Sequence, residues 1–251
     1  MYHLSLLAIF KNETTNLKIW VDHYLWQGVD HFYLIDNGSD DNPLLILQEY
    51  IDKGIVTYYY LPEKYKQVQH YQYVFDHANL KQKTVWLIFC DLDEFFYGVN
   101  NKLNKEIKKI EDNYDYISCD WKMFGSSGFI TQPPDIRTAF TYCRKDLYDI
   151  PPKYIVKTNS IQHTSQIWVH SLLNHSIPPH RQLNDNINIR LNHYQVQSLE
   201  FFQKIKMTRG DVDHIEKNNI RDMEYFKRND YTEAQDETLK TLIINPPPFY
   251  E

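Results

Sequence analysis

An α/β fold, with a parallel sheet flanked by helices on both faces, is what this 251-residue sequence predicts, and three observations carry the prediction. Strand-like and helix-like patterns alternate over the first 98 residues. The strand-like runs are apolar throughout instead of alternating with polar residues, as strands buried on both faces require. The fourth run, in VWLIFCDLDEFF at residues 85–96, breaks directly into acidic residues. Parallel sheets bind their ligands at that place, the carboxyl ends of the strands.

Residues 4–10 read as the first strand, which ends in the polar cluster Lys11, Asn12 and Glu13. Leu17, Trp20, Val21, Tyr24 and Leu25 then fall on one face of a helix, and Gly28 stands where its stop belongs. Residues 31–35 form the second strand and run into DNGSDD, a polar loop with helix-capping chemistry. Pro43 opens a short helix with Leu44, Leu47 and Ile51 on its inner face and Gly54 at its end, and residues 55–61 form the third strand. A third helix over residues 64–81 buries Val68, Tyr71, Phe75 and Ala78 and turns Lys66, Gln69, His70 and Gln72 outward. The strand at 85–90 completes a βαβαβαβ series joined by right-handed crossovers. Four loops, at residues 11–13, 36–40, 64–69 and 91–94, are therefore expected along one edge.

The second half is less regular. Residues 101–113 read as a charged, exposed helix, and 116–124 as a strand leading into the GSSG turn at 125–128, whose glycines let a ligand approach the backbone closely. Further strands are expected at 154–157, 167–173 and 187–194, among Pro133, Pro134, Pro151 and Pro152. Ser198 caps a helix over 199–209 that Gly210 ends. One domain over residues 1–210 is expected, with its two halves meeting near residue 98 and a helical or mobile tail over 211–251.

The 27 basic and 33 acidic residues are interspersed and the net charge is −6, so nucleic acid is not an expected partner. The three cysteines lack CxxC spacing and suggest neither a disulfide framework nor zinc. No apolar run is long enough to span a membrane, and the first residues lack a basic start and a small-residue cleavage site. The expectation is a cytoplasmic protein with peripheral membrane contact at most. Neither a GxGxxG motif nor a P-loop occurs, so a nucleotide would be held another way.

In an extended backbone Asp91 and Asp93 point the same way, with Leu92 opposite, and can converge on one divalent cation through the oxygen ligands that Mg²⁺ and Mn²⁺ prefer. A solvated acidic turn is one alternative. Paired carboxylates for glycoside hydrolysis are another, although that chemistry uses a wider separation. Glu94 alternates to the other face and reads as a brace for the pair.

The stretches KNETTNLKIWVDHYLWQGVDHFYLIDNGSDD, WLIFCDLDEFF, WKMFGSSG and LNHYQVQSLEFFQKIKMTRG, in this order from residue 4 to about 210, resemble glycosyltransferase family 92. The resemblance implies a GT-A fold. Its mixed, mainly parallel sheet would carry a Rossmann-like nucleotide-sugar half over 1–98, a smaller β-rich acceptor half over 99–210 and C-terminal helices. It implies transfer of a hexose from a nucleoside-diphosphate sugar, UDP first among them, to a glycan hydroxyl, with inversion as in the related family 2. On this chain the resemblance makes Asp91 and Asp93 the holders of Mn²⁺ or Mg²⁺ against the donor's diphosphate, and His193 a third ligand. It makes Asp36, with Asn12 and Glu13 beside it, the reader of base or ribose. Lys66 and Gln69 in the third loop, and Lys204 and Arg209 on the late helix, are further candidate donor contacts. No motif fixes the base that takes the acceptor's proton; Asp120 and His170 are the candidates, and Trp121 is a candidate platform for a sugar ring. Two other readings stay open. A nucleotidyltransferase would carry a glycine-rich basic loop where KNETTN stands, and a silent sugar-binding module would not need the two aspartates.

Overall fold

The computed structural model describes residues 1–208 and 221–250, except the side chains of 149–152 and 249. The first half contains β1 (Tyr2–Phe10), α1 (Thr14–Trp26), β2 (His31–Asp36), α2 (Leu44–Asp52), β3 (Val56–Tyr60), α3 (Gln67–His77), α4 (Leu80–Lys83), β4 (Thr84–Phe89) and β5 (Glu94–Gly98). Then come α5 (Leu103–Ile110), β6 (Tyr116–Met123), α6 (Ile136–Ala139), β7 (Tyr142–Cys143), β8 (Tyr148–Lys157), β9 (Gln182–Asn184), β10 (Ile189–His193) and α7 (Leu199–Lys204). The C-terminal part adds α8 (Met223–Asn229), β11 (Ala234–Gln235) and α9 (Thr238–Ile244).

The main sheet has the strand order β3-β2-β1-β4-β8-β6-β10-β5, with β9 also paired to β6. Strands β3, β2, β1 and β4 are mutually parallel, as expected. β8 lies antiparallel between β4 and β6, β10 runs parallel to β6, and β5 antiparallel to β10, so the sheet is mixed and mainly parallel. The unbroken apolar runs have a direct cause. Leu4, Leu6, Ala8 and Phe10 pack on Leu17, Trp20, Val21 and Tyr24 of α1, while Leu7 and Ile9 face Tyr71, Val74 and Phe75 of α3 on the other side. Each such side chain stabilises the fold by about 1.5–3 kcal/mol relative to exposure. α1 stops because Gly28 takes φ +84°, and a Cβ at that position would meet the Asn104 side chain at 2.3 Å.

Three expectations need correction. α3 begins at Gln67 and ends at His77, because Tyr65 and Asn79 adopt left-handed φ of 59° and 54°. His70, expected outside, is 6% exposed and lies 3.4 Å from Glu63. Residues 167–173 form no strand: Ile167 and Leu172 meet in a single bridge, and the Trp168 N–H donates to the Ser171 carbonyl. The apolar pattern there comes from a doubled-back loop whose two ends both fill the core under α3.

β5 was not anticipated as a separate strand, and it shapes the molecule. It is the far end of the sheet path, yet only residues 90–93 separate it from β4. The sheet must therefore curl until its far edge returns beside the end of β4. The C-terminal part packs on this body: Leu239, Leu242 and Tyr250 join the main core, and β11 pairs with β7. Tyr250, 1% exposed, donates to the Gly98 carbonyl and accepts from Gln27 Nε2 at 3.0 Å. Among the described residues no helix is long and apolar enough to cross a membrane.

Candidate active site

The extended backbone of β4 ends at Phe89, and Asp91 to Asp93 form a turn instead of the straight continuation expected. The Glu94 N–H donates to the Asp91 carbonyl at 3.1 Å, and the Asp91 N–H donates to Glu94 Oε2 at 2.9 Å. Glu94 therefore does brace the turn, though by closing it and not by alternating away. Trp20 supports it from α1, its indole N–H lying 3.0 and 3.1 Å from the carbonyls of Asp91 and Glu94.

The turn borders a cavity of about 520 Å³ at the carboxyl ends of the four parallel strands. All four expected loops contribute to its lining: Asn12 and Glu13 after β1, Asn37 and Asp40 after β2, Lys64 and Gln67 after β3, Asp91 and Asp93 after β4. Lys206, Thr208 and Arg221 add a wall from the C-terminal side.

Two buried lysines set the electrostatics. Lys153 on β8 is 0% exposed; its Nζ lies 2.8 Å from Asp91 Oδ2 and 3.6 Å from Glu94 Oε2. Burial opposes its charge, but the two carboxylates outweigh that and raise its pKa. Burial pushes Glu94 up to about 7 in spite of Lys153. Lys206 is 3% exposed and lies 2.7 Å from Asp93 Oδ2 and 3.4 Å from Glu13 Oε1. Burial would raise the Asp93 pKa; the Lys206 ammonium and the His193 imidazole outweigh it and hold the carboxyl well below the usual range.

His193 arrives by way of the curl. β10 pairs with β5 so that His193 stands opposite Glu94, and the Tyr194 N–H donates to the Asp93 carbonyl at 2.8 Å. His193 Nε2 then lies 3.5 Å from Asp93 Oδ1, its Nδ1 has no hydrogen-bond partner among the described residues, and its ring packs on Trp121 at 4.8 Å.

The residues at the turn suit a divalent cation in ligand type. Glu13, Asp91, Asp93 and Glu94 meet Lys153 and Lys206 there, while Asp40, Lys11, Lys64 and Arg221 also line the cavity, so acids and cations are interspersed around it. The Asp93 carboxylate and the His193 imidazole offer an oxygen and a nitrogen to one point, which suits Mn²⁺ or Mg²⁺. Among the described residues no three His, Cys, Asp or Glu side chains already converge, because Asp91 is turned toward Lys153.

The other expected site residues lie elsewhere. Asp36, 2% exposed, caps its own loop by accepting the Ser39 N–H at 2.7 Å and the Tyr58 hydroxyl at 2.6 Å. Lys66 and Gln69 are exposed and outside the cavity lining, where Lys64 and Gln67 stand instead. Lys204 pairs with Glu200 one helical turn away at 2.6 Å on the outer surface. Asp120 has both oxygens occupied, by Asn184 at 3.0 Å and Asn186 at 2.9 Å. His170 packs its ring on Trp121 at 5.5 Å and on Trp168 at 5.4 Å. Trp121 is 8% exposed and stacks with Tyr148. The protein itself fills the Gly125 end of the GSSG turn, where a Cβ would lie 2.4 Å from the Tyr231 carbonyl oxygen and the Ser126 N–H donates to Asp230, while a Cβ on Gly128 at the other end would have nothing within 4 Å among the described residues. Arg209 and Gly210 fall outside the described residues.

Sequence reasoning missed Lys153 and Lys206. Nothing in the pattern marks Lys153. For Lys206 the signal was the basic run after α7, but the helix ends at Lys204 and the chain tightens into a 3₁₀ turn at Lys206–Thr208. The changed rotation sends Lys206 inward and leaves Lys204 outside.

Comparison with known proteins agrees with the pattern of motifs. The family model for glycosyltransferase family 92 matches residues 6–242. A family 92 protein of Ricinus communis is 26% identical over 211 residues, 81% of this chain and 37% of that protein. One of Arabidopsis thaliana is 25% identical over 160 residues, 57% of this chain and 27% of that protein. The chain thus spans well under half the length of these relatives. Among solved structures, residues 1–349 of S. aureus TarS align with a TM-score of 0.47 at 15% identity, covering 77% of this chain and 61% of that one. GalNAc-T7, solved with UDP, GalNAc and Mn²⁺, aligns with a TM-score of 0.45 at 12% identity, covering 77% of this chain and 43% of that one. On the family match, which runs over most of its length, this chain belongs to glycosyltransferase family 92.

Proposed function

We propose that this protein transfers a hexose from a nucleoside-diphosphate sugar, UDP first among the candidates, to a glycan hydroxyl with inversion, and that it does so with a divalent cation. The observation that carries this reading is the meeting of four strand-end loops and the acidic turn in one cavity. In this reading a diphosphate would lie between the backbone ends of β1 and β4, with Asn12 on the lining beside it.

In this reading Asp93 and His193 hold Mn²⁺ or Mg²⁺, with Asp91 joining once its carboxylate leaves Lys153. The bound ion supplies Lewis-acid stabilisation of the charge that develops on the departing diphosphate. The chain's own groups do the rest. Glu94 and Trp20 hold the backbone of the turn in shape before the donor arrives. Lys206 adds positive charge on the cavity wall. The bond from the anomeric carbon to the phosphate oxygen breaks, its electron pair leaving with the nucleoside diphosphate, as the acceptor oxygen attacks from the opposite face. The acceptor's proton needs a base; of the two candidates, Asp120 has both oxygens engaged by asparagine amides, and His170 stands with its ring against Trp121, which also packs on His193.

The test is a thermal-shift screen of UDP-, GDP- and dTDP-sugars with and without Mn²⁺, followed by turnover of the donor that stabilises the fold, since a ligand of the native state raises apparent stability. Asp93→Asn should abolish metal-dependent turnover while circular dichroism remains unchanged. Undiminished turnover in that variant would overturn the metal assignment.

A further inference from the structure

We propose that Lys206 holds the cation's place on Asp93 until the donor arrives, so that the divalent ion and the nucleoside diphosphate bind as a coupled pair. The inference rests on the metal and donor reading above and assigns this lysine a role within it. The Lys206 ammonium lies 2.7 Å from Asp93 Oδ2, while His193 faces the other oxygen of the same carboxylate. An ion seated between Asp93 and His193 therefore meets a positive charge already hydrogen-bonded to one of its ligands. Two like charges on one buried carboxylate repel strongly in a medium less polarisable than water. The ion's entry on Oδ1 is therefore opposed while the ammonium stays on Oδ2 and eased when it moves away.

The structure provides the route. Glu13 Oε1 lies 3.4 Å from the same ammonium, so Lys206 keeps one carboxylate when it leaves the other. The open cavity that Lys206 lines receives the rest of its charge, and a diphosphate there offers oxygens in place of the Asp93 oxygen it gives up. The exchange conserves pairing: carboxylate and ammonium, then carboxylate and divalent ion, with the ammonium on phosphate. Without the diphosphate, the displaced lysine keeps Glu13 alone among the carboxylates it meets in the described residues, and the ion binds weakly. With it, each ligand strengthens the other by the same factor, as linkage requires. The neighbouring Phe201 ring, whose centroid is 5.8 Å from Nζ, gives the ammonium a face to turn against as it moves.

Mn²⁺ binding to the full chain, followed by the electron paramagnetic resonance of free Mn²⁺ with and without UDP, tests this. In the unaltered protein UDP should tighten Mn²⁺ binding by about tenfold or more, within the usual range of site-to-site coupling. Lys206→Met should bind Mn²⁺ alone about tenfold more tightly than the unaltered protein, and UDP should then add little. Lys206→Arg keeps the charge and should keep the weak binding of Mn²⁺ alone. If Lys206→Met does not fold, Lys206→Gln, whose amide still donates to Asp93 without charge, is read in the same way. Should the neutral variants bind Mn²⁺ alone no more tightly than the unaltered protein, while UDP still tightens all of them, the exchange is wrong and the donor-site reading stands. Should Mn²⁺ bind none of the proteins even with UDP, both fall together.

Discussion

Replacing Lys153 with Met tests whether the acidic turn depends on a cation supplied by β8. The substitution keeps the length and apolar stem of the side chain and removes only the ammonium, which is fully buried between Asp91 and Glu94. Removing one partner of a buried ion pair costs about 3–5 kcal/mol, because the other is left charged and unsolvated. Asp91, with 34% of its side chain exposed, can recover water; Glu94, fully buried, cannot. The cost should therefore sit near the lower end, about 3 kcal/mol at pH 8. Glu94 already has its pKa pushed up to about 7, and losing Lys153 pushes it higher. For a carboxyl whose folded pKa is raised, the folded state binds the proton more tightly than the unfolded one, so stability falls as pH rises from the unfolded value of 4.5 through the folded value. The penalty should thus shrink at pH 6. Adding Glu94→Gln, which removes the charge and keeps an oxygen for the Asp91 N–H, should recover about 2 kcal/mol at pH 8. Urea unfolding of the four proteins of this cycle at pH 6 and 8 gives the numbers. A loss under about 1 kcal/mol for Lys153→Met at pH 8, or a coupling energy under about 0.5 kcal/mol, would refute the charge balance described for the turn.

Three further outcomes are expected. His193→Ala should weaken Mn²⁺ binding in the presence of UDP by roughly 10–100-fold, read by the same resonance signal; affinity equal to the unaltered protein removes the imidazole from the site. Asp115, gripped by two of the three guanidinium nitrogens of Arg181 at 2.6 and 2.7 Å and by Lys157 at 2.9 Å, has its pKa held down to about 2 chiefly by the Arg181 hydrogen bonds. A depressed carboxyl contributes stability above the unfolded pKa that is lost as pH falls through the folded one. Asp115→Asn should therefore cost about 1 kcal/mol at pH 7, discounted for partial exposure, and nothing near pH 2, by thermal or urea melts across pH. Tyr250→Phe should cost about 1–3 kcal/mol in urea unfolding, since it strands the Gln27 amide and the Gly98 carbonyl in the core; a neutral result would mean that water replaces the hydroxyl.

The α/β class and the shared edge of four loops were legible because local rules decide them. Runs such as residues 4–10 and 85–90 are apolar on both faces only if helices cover both, and the strand-end rule then places Asn12, Glu13, Asp91 and Asp93 together. Elements fixed by distant partners were not legible. Nothing near residue 94 announces that EFFYG pairs with β10, and without that pairing the curl that carries His193 to Asp93 cannot be inferred. Lys153 and Lys206 look like any surface lysine until the strands and the 3₁₀ turn that carry them are placed. The family resemblance makes Asp36 a base or ribose contact, but its two oxygens accept from Ser39 in its own loop and from Tyr58 on the neighbouring β3, partners no local pattern shows. An unbroken helix over 199–209 makes Lys204 the candidate, whereas the helix ends at Lys204 and the 3₁₀ turn that follows brings Lys206 inward.

The two lysines that neutralise the turn lie 62 and 113 positions after the aspartates they meet. During synthesis, at roughly 5–20 residues per second, Asp93 precedes Lys206 by about 6–20 seconds. Until Lys153 is made, the nascent amino-terminal half carries Glu13, Asp91, Asp93 and Glu94 with neither internal cation and β4 with no β8 beside it, and until Lys206 is made Asp93 still lacks its own. The four acids repel one another at the place where the first four strands would close. Completion of the sheet edge is therefore tied to arrival of the carboxyl-terminal half, and a ribosome-stalled chain ending near residue 98 should remain protease-sensitive where one ending after residue 208 does not.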